Sequence, residues 1–202
     1  MKKILLLVLL LQSLTIYSQN ADIRLLRHIN LNRNERLDGA FKVISNSVSP
    51  ISIGTPILVF GVGLIEKDKN IQQKALVMGA TVIVAATIST AMKRTINRAR
   101  PFETYPDIQK VGTGGSSSFP SGHTSDAFST ATSLSLAFPK WYVIAPSYTY
   151  ASLVGYSRMH LGVHYPSDVL AGAIVGAGSA YLCYKAQKWI NHRKRNKLPI
   201  KN

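Results

Sequence analysis

Uncharged runs alternate with charged connections along this chain. The runs cover Val43 to Ile65, Ala75 to Met92, Ala127 to Pro139, Trp141 to Ser157 and Val169 to Tyr184, and most charged residues lie between or beyond them. A bilayer core takes about 20 apolar residues per helix, with a usual range of about 17 to 25. The first, second and fourth runs meet that length. The third and fifth are borderline and span only if neighbouring helices cover them. The pattern predicts an all-α fold: a polytopic membrane helical bundle of about five transmembrane helices. A soluble all-α protein with each run buried as a core helix fits the run lengths less well.

Ahead of the runs, Lys2 and Lys3 precede an apolar stretch from Ile4 to Leu11, followed by Ile16 and the small residue Ser18. This is the layout of a secretory signal. An uncleaved first span is the alternative, against which Gln12, Ser13 and the shortness of the apolar stretch count. The expected organisation is a signal at 1–18, an N-terminal segment at 19–42, a membrane domain at 43–184 and a basic tail at 185–202.

Composition refines this reading in two places. With 202 residues the chain is one domain's worth, and its 46% apolar content and mean hydropathy of +0.09 are high for a soluble protein yet modest for a membrane one. The formal charge of +15 comes from 24 Lys and Arg against nine acidic residues, and much of the excess follows the last apolar run from Lys185 onward. Cationic loops stay on the cytoplasmic side, so five spans counted back from a cytoplasmic tail put 66–74 inside. The same count puts 19–42, 93–126 and 158–168 outside. Nucleic acid is not an expected partner, because no basic face carries interleaved aromatics. The sole cysteine, Cys183, excludes an intrachain disulfide and reads as a packing residue.

Three short stretches carry the candidate chemistry, and all three fall on the predicted outer side. The first, Lys93 to Pro101, continues the second span. On a helix Lys93, Asn97 and Arg100 lie within about 60° of one another while Arg94 and Arg98 point elsewhere. Pro101 disfavours helix at Arg100, so the stripe ends where a loop begins. Alone, it also suits snorkelling cations. The second stretch, Pro120-Ser121-Gly122-His123, reads as a loop feeding a helix N-terminus, where backbone N–H groups face an anion and Gly122 permits close approach. An ordinary capping turn is its alternative. In the third, Pro166 suits a helix N1 position, which leaves His164 in the extended approach and puts Asp168 in the first helical turn. A carboxylate there can hold one imidazole nitrogen while the other stays free, which selects a tautomer and raises nucleophilicity. A helix-dipole partner beside a loop histidine is the bland alternative.

Together these stretches resemble the type 2 phosphatidic acid phosphatase family, the membrane lipid phosphatase branch of the PAP2 and vanadium haloperoxidase-like superfamily. Its signature K-x6-RP, PSGH and SR-x5-H-x3-D is matched by Lys93 to Pro101, Pro120 to His123 and Ser157 to Asp168, with 18 and 33 residues between successive blocks. The resemblance implies that His164 attacks phosphorus to form a phosphohistidine, oriented by Asp168. His123 then protonates the leaving oxygen and later activates water. It implies that Lys93, Arg100 and Arg158, with the Ser121 side chain and the Gly122 amide, hold the phosphoryl oxygens, with neither metal nor other cofactor. The implied partner is a phosphorylated lipid at the outer face of a bacterial-type inner membrane: phosphatidate, phosphatidylglycerophosphate, polyprenyl diphosphate or a lipid A phosphate. Two other readings remain open. One is a soluble periplasmic acid phosphatase of broad specificity; the other is a non-catalytic phospholipid-binding or translocating protein. The sequence is silent on oligomeric state.

His28, His160 and His192 lie outside the signature and are expected to be solvated or structural. The Gly172 to Gly176 spacing in the last run predicts close helix approach, with Ala85, Ala86 and Ala91 as further candidates. The loop at Gly112 to Ser118 and the segment from Gln19 to Lys42 are expected to shape the headgroup pocket.

Overall fold

The computed structural model describes residues 21–197. The signal expected at 1–18, and with it Gln19, lies outside the described residues. In chain order come α1 (21–31), a 3-10 turn at Glu35–Leu37, α2 (Asp38–Asn46), α3 (Val48–Ile65), α4 (Lys69–Ile96), the one-turn α5 (Pro101–Thr104), α6 (Gly122–Ala137), α7 (Trp141–His160) and α8 (Pro166–Lys197). No strand occurs among the described residues. Each of the five uncharged runs becomes the body of one helix: α3, α4, α6, α7 and α8.

Local chemistry sets the joints. Asp68 caps α4, its carboxylate accepting from the Asn70 and Ile71 amides at 2.7 and 3.2 Å. Asn97 ends α4 in the left-handed conformation, with φ 43°. Pro166 opens α8 with Asp168 in its first turn, as the sequence predicts. Gly162, at φ +71°, turns the chain between α7 and the His164 loop, where a β-carbon would stand 2.2 Å from the Gln109 carbonyl oxygen.

Among the described residues, three stretches are long and apolar enough to cross a membrane: Glu35–Ile65, Lys69–Thr104 and Pro166–Arg193. Their exposed faces carry Ile57, Leu58, Leu76, Ile83, Leu170, Ile174 and Leu182, each more than 60% exposed. So much outward apolar surface belongs against hydrocarbon rather than water. One expectation changes. The α7 run, long enough by count, is diluted by Ser147, Thr149, Ser152 and its tyrosines and does not qualify. The shorter α8 run does qualify, because its helix continues beyond it.

α6 lies at the centre, packed against α8, α7, α4 and α3. Its buried side chains are small and polar: Ser125, Ser129, Thr130 and Ser133 among them. Ser129 and Thr130 spend their hydroxyls on the Asp126 carbonyl, both at 2.9 Å. Small residues let α8 come close, since β-carbons added at Gly172 and Gly176 would stand 2.5 and 2.2 Å from the carbonyl oxygens of Ser121 and Ser125. Of the three alanines expected to act similarly, Ala85 is fully buried, but Ala86 and Ala91 are exposed. The α4 face that meets its neighbours is set by Met78, Thr81, Ala85 and Ser89, and these two alanines fall outside it.

Candidate active site

Five helix ends converge at one end of the bundle: the C-termini of α4 and α7 and the N-termini of α5, α6 and α8. The loop from 105 to 121 closes over them. It is pinned by the amides of Val111 and Gly112 to the Leu161 carbonyl at 3.0 and 3.3 Å, of Ser118 to Arg98 at 2.8 Å, and of Ser121 to Asp168 at 3.0 Å. Beneath the loop lies a cavity of about 320 Å³ whose wall includes Lys93, Arg100, Gly122, His123, Arg158 and His164. The three separated sequence stretches therefore meet in one place. Asp126 and Thr113 to Ser116 complete the wall, so the glycine-rich loop does line the pocket. The N-terminal segment puts no residue on that wall: Asp22 bonds Arg98 and Ser167 behind it, and Asp38 pairs with His160.

His164 is 2% exposed and Asp168 fully buried. The imidazole Nδ1 lies 3.4 Å from Asp168 Oδ2 and 3.5 Å from Ser118 Oγ. Its Nε2 lies 3.3 Å from Arg100 Nη1. A guanidinium can only donate, so this contact makes Nε2 the acceptor and leaves the ring proton on Nδ1, facing the carboxylate. The lone pair of Nε2 thus points into the cation-lined cavity. Burial holds His164 well below its ordinary pKa, at about 3, with Asp168 opposing the shift and Arg100 and Arg158 adding to it. The ring is neutral at physiological pH.

The cations are fixed by backbone carbonyls rather than carboxylates, so their charge is not cancelled. Lys93 Nζ donates to the Ser117 carbonyl at 2.5 Å. Arg100 donates from Nε to Ser116 and from Nη1 to Val163, both at 2.7 Å. Arg158 donates from Nη2 to the Thr113 carbonyl at 2.8 Å and from Nη1 to Ser45 Oγ. Its Nε is buried with no hydrogen-bond partner among the described residues. An orphaned buried guanidinium donor on the wall of a cationic cavity is the signature of a site built for an anion. His123, in the first turn of α6, faces the same space. Burial, with Arg158, Arg100 and Lys93 nearby, lowers it to about 4.

Not every expected residue sits as the sequence suggested. Ser121 is fully buried, hydrogen-bonds Thr124 Oγ1 at 2.8 Å, and stands behind the cavity wall rather than on it. Arg100 reaches the site from the extended loop after α4, as the N-cap of α5, rather than from a helical face shared with Lys93. The left-handed turn at Asn97 has a second effect. It swings Arg98, expected to point elsewhere, onto Asp168 Oδ1 at 2.7 Å. Asp22 on α1 holds the other side of that guanidinium at 2.8 Å and accepts from the Ser167 amide at 2.8 Å. Arg98 also lies over the Tyr165 ring, 3.8 Å from its centre. Ser118 donates to Asp168 Oδ2 at 2.5 Å. None of Arg98, Asp22 and Ser118 was marked as a site residue in the sequence. A left-handed-tolerant asparagine before an arginine was the available signal for Arg98. Of the remaining histidines, His160 is buried against Asp38 at 2.8 Å in a structural pair, and His28 is exposed.

A helical membrane bundle with a cation-lined cavity and a His–Asp pair at one end defines the class. The chain belongs to the PAP2 superfamily, whose family model matches residues 74–192, a span that contains all three motif stretches. Among curated relatives, a lipid A 1-phosphatase of Rhizobium johnstonii is 36% identical over 102 residues, 48% of this chain and 41% of that protein. An undecaprenyl-diphosphatase of Sulfolobus acidocaldarius is 29% identical over 165 residues, 80% of this chain and 76% of that one. The chain thus spans about two fifths of the first relative and three quarters of the second. Among solved structures, Aquifex aeolicus LpxE superimposes with a TM-score of 0.72 at 28% identity, covering 82% of this chain and 95% of that one. A transmembrane phosphatidylglycerolphosphate phosphatase from Bacillus subtilis gives 0.72 at 25% identity, covering 86% and 88%.

Proposed function

We propose that this protein hydrolyses a phosphate or diphosphate carried by a membrane lipid, through a phosphohistidine intermediate. The observation that carries the reading is the unprotonated Nε2 of His164, on the wall of a cavity lined by three uncancelled cations. In the first step Nε2 attacks phosphorus in line with the departing oxygen, while Lys93, Arg100 and Arg158 hold the phosphoryl oxygens, one of them at the orphaned Arg158 Nε. Asp168 stabilises the positive charge that develops on the ring. His123 delivers a proton to the leaving oxygen, then takes one from the water that cleaves the phosphohistidine. The fixed cations carry the charge load, and no metal enters this sequence of steps. The relatives named for lipid A, undecaprenyl diphosphate and phosphatidylglycerolphosphate support a lipid substrate.

The reading extends to placement: a multi-pass protein of a bacterial-type inner membrane with the cavity on the periplasmic or exterior side. The opposite end of the bundle supports it. There α8 runs into Lys185, Lys188 and Arg193, and Trp141, Tyr142 and Trp189 stand exposed, as residues of an interfacial belt do.

The test is phosphate release in liposomes or detergent, with phosphatidate, phosphatidylglycerophosphate, polyprenyl diphosphate, a lipid A type phosphate and a soluble aryl phosphate compared, with and without chelator. A lipid-selective signal indifferent to chelator is expected. Equal turnover of the aryl phosphate would remove the lipid from the assignment, and loss of signal with chelator would remove the metal-free mechanism. A pH prediction accompanies it. In the free enzyme His123, at about 4, is neutral near pH 7 and cannot serve as acid. A bound phosphate offsets the three cations and favours the charged imidazolium, so the His123 pKa rises in the complex. Activity that needs this proton is present below the raised pKa and lost as pH climbs through it. The descending limb of kcat is therefore expected at higher pH than that of kcat/KM, after correction for the substrate's own ionisation. Coincident limbs would overturn the role given to His123.

A further inference from the structure

The catalytic cavity holds one group that the mechanism above leaves idle. Asp126 is the single acidic side chain on its wall among the described residues. It follows His123 by three residues on α6, about 60° around the helix and about 4.5 Å deeper into the bundle, so both side chains address the same space. Its backbone is firmly held, the carbonyl accepting from Ser52, Ser129 and Thr130 hydroxyls at 3.3, 2.9 and 2.9 Å. Its carboxylate has no hydrogen-bond or ion-pair partner among the described residues, although Lys93, Arg100 and Arg158 line the same cavity. A carboxylate only accepts, and so do phosphoryl oxygens, so Asp126 cannot serve the phosphate. It faces whatever lies beyond it. In the proposed reaction the leaving oxygen sits at His123, and the next atoms of the leaving alcohol pass Asp126.

The geometry points to Asp126 as the acceptor for a hydrogen-bond donor on the leaving alcohol, a hydroxyl or amide N–H on the carbon beside the phosphorylated one. This rests on the lipid phosphatase reading and divides its candidate substrates in two. Phosphatidylglycerophosphate carries a hydroxyl at that position, and a lipid A type 1-phosphate carries an amide N–H. Phosphatidate and polyprenyl diphosphate leave as groups with no donor there. A half-buried carboxylate that a bound lipid covers without pairing is unfavourable, so donor-free lipids are disfavoured by the same group that favours the others.

The experiment compares kcat/KM for these four lipids, at equal surface concentration in mixed micelles, for the full-length protein and for Asp126→Asn and Asp126→Ala. The intact protein is expected to prefer the donor-bearing pair at least about tenfold. Asp126→Ala is expected to collapse that ratio about ten- to hundredfold, and Asp126→Asn, which keeps one acceptor oxygen, to restore part of it. A preference of the intact protein for phosphatidate or polyprenyl diphosphate overturns the inference without any variant. So does an equal loss on all four lipids in the variants, which would place Asp126 behind His123 in the chemistry or in folding. The underlying reading fails differently: no lipid releases phosphate, or release survives His164→Ala.

Discussion

His164→Ala is expected to lower phosphate release by at least about 10^4-fold while the protein still binds phosphate. The variant removes the Nε2 lone pair that the proposed first step uses as nucleophile, and a methyl group cannot replace it. Of the three cations only Arg100 touches the ring, through Nη1 at 3.3 Å, and it keeps its other contacts. Lys93, Arg100 and Arg158 are held by the carbonyls of Ser117, Ser116, Val163 and Thr113, none of which depends on the imidazole. The residual rate is what cation binding alone provides over water. Single-turnover assays with a labelled lipid phosphate, read with acid-labile label on the protein, check both halves. Label should accumulate on the intact protein and be absent from the variant. A variant that retained turnover would remove the nucleophile from the scheme.

Asp168→Asn is expected to cost about 10^3-fold in kcat, or about 4 kcal/mol of transition-state stabilisation. The reason is geometric. Oδ1 accepts from Arg98, while Oδ2 accepts from Ser118 and the Tyr165 amide and faces the His164 ring proton. Both oxygens meet donors only. An asparagine has one oxygen to give, so its amide N–H must confront either the Arg98 guanidinium or the Tyr165 N–H. Either choice loosens the ring or favours the tautomer with Nε2 protonated, and both remove the negative charge that steadies the phosphohistidine. Binding should change little, because Asp168 lines no part of the cavity wall. The loss should therefore appear in kcat rather than KM, and a reversed split would reassign Asp168 to ground-state binding.

Hydropathy and a proline or two made much of this architecture legible. The uncharged runs anticipate the five long helices because an apolar stretch of that length has few other places to go, and Pro166 places Asp168 in the first turn of α8. Spacing made the cavity legible as well, since Lys93, Arg100, His123, Arg158 and His164 all reach it. What was hidden depended on single backbone dihedrals. A helical extrapolation through Asn97 puts Arg98 on the wrong side, and one left-handed residue reverses that. Ser121 was misplaced for the opposite reason. Its motif position suggests a phosphate ligand, but the close passage of Gly172 presses its backbone into the α6–α8 contact and leaves its hydroxyl to Thr124. Asp22 lies 146 positions before Asp168, and only tertiary packing of α1 brings the two to one guanidinium.

The serine- and threonine-lined interior of α6 sets an order on how the protein is built. A helix whose buried residues are hydroxyl-bearing gains little by entering hydrocarbon unaccompanied. α4 is made before it and can receive it, but a close backbone contact, at Gly172 and Gly176, comes from α8, which is made after it. Until α8 arrives, Asp168 is also missing from the Ser121 amide and from Ser118. The first turn of α6 and the Ser118 end of the loop above it therefore lack these two contacts until α8 is in place. A chain shortened before Pro166 would carry His123, His164, Lys93, Arg100 and Arg158 but no Asp168 to hold the imidazole.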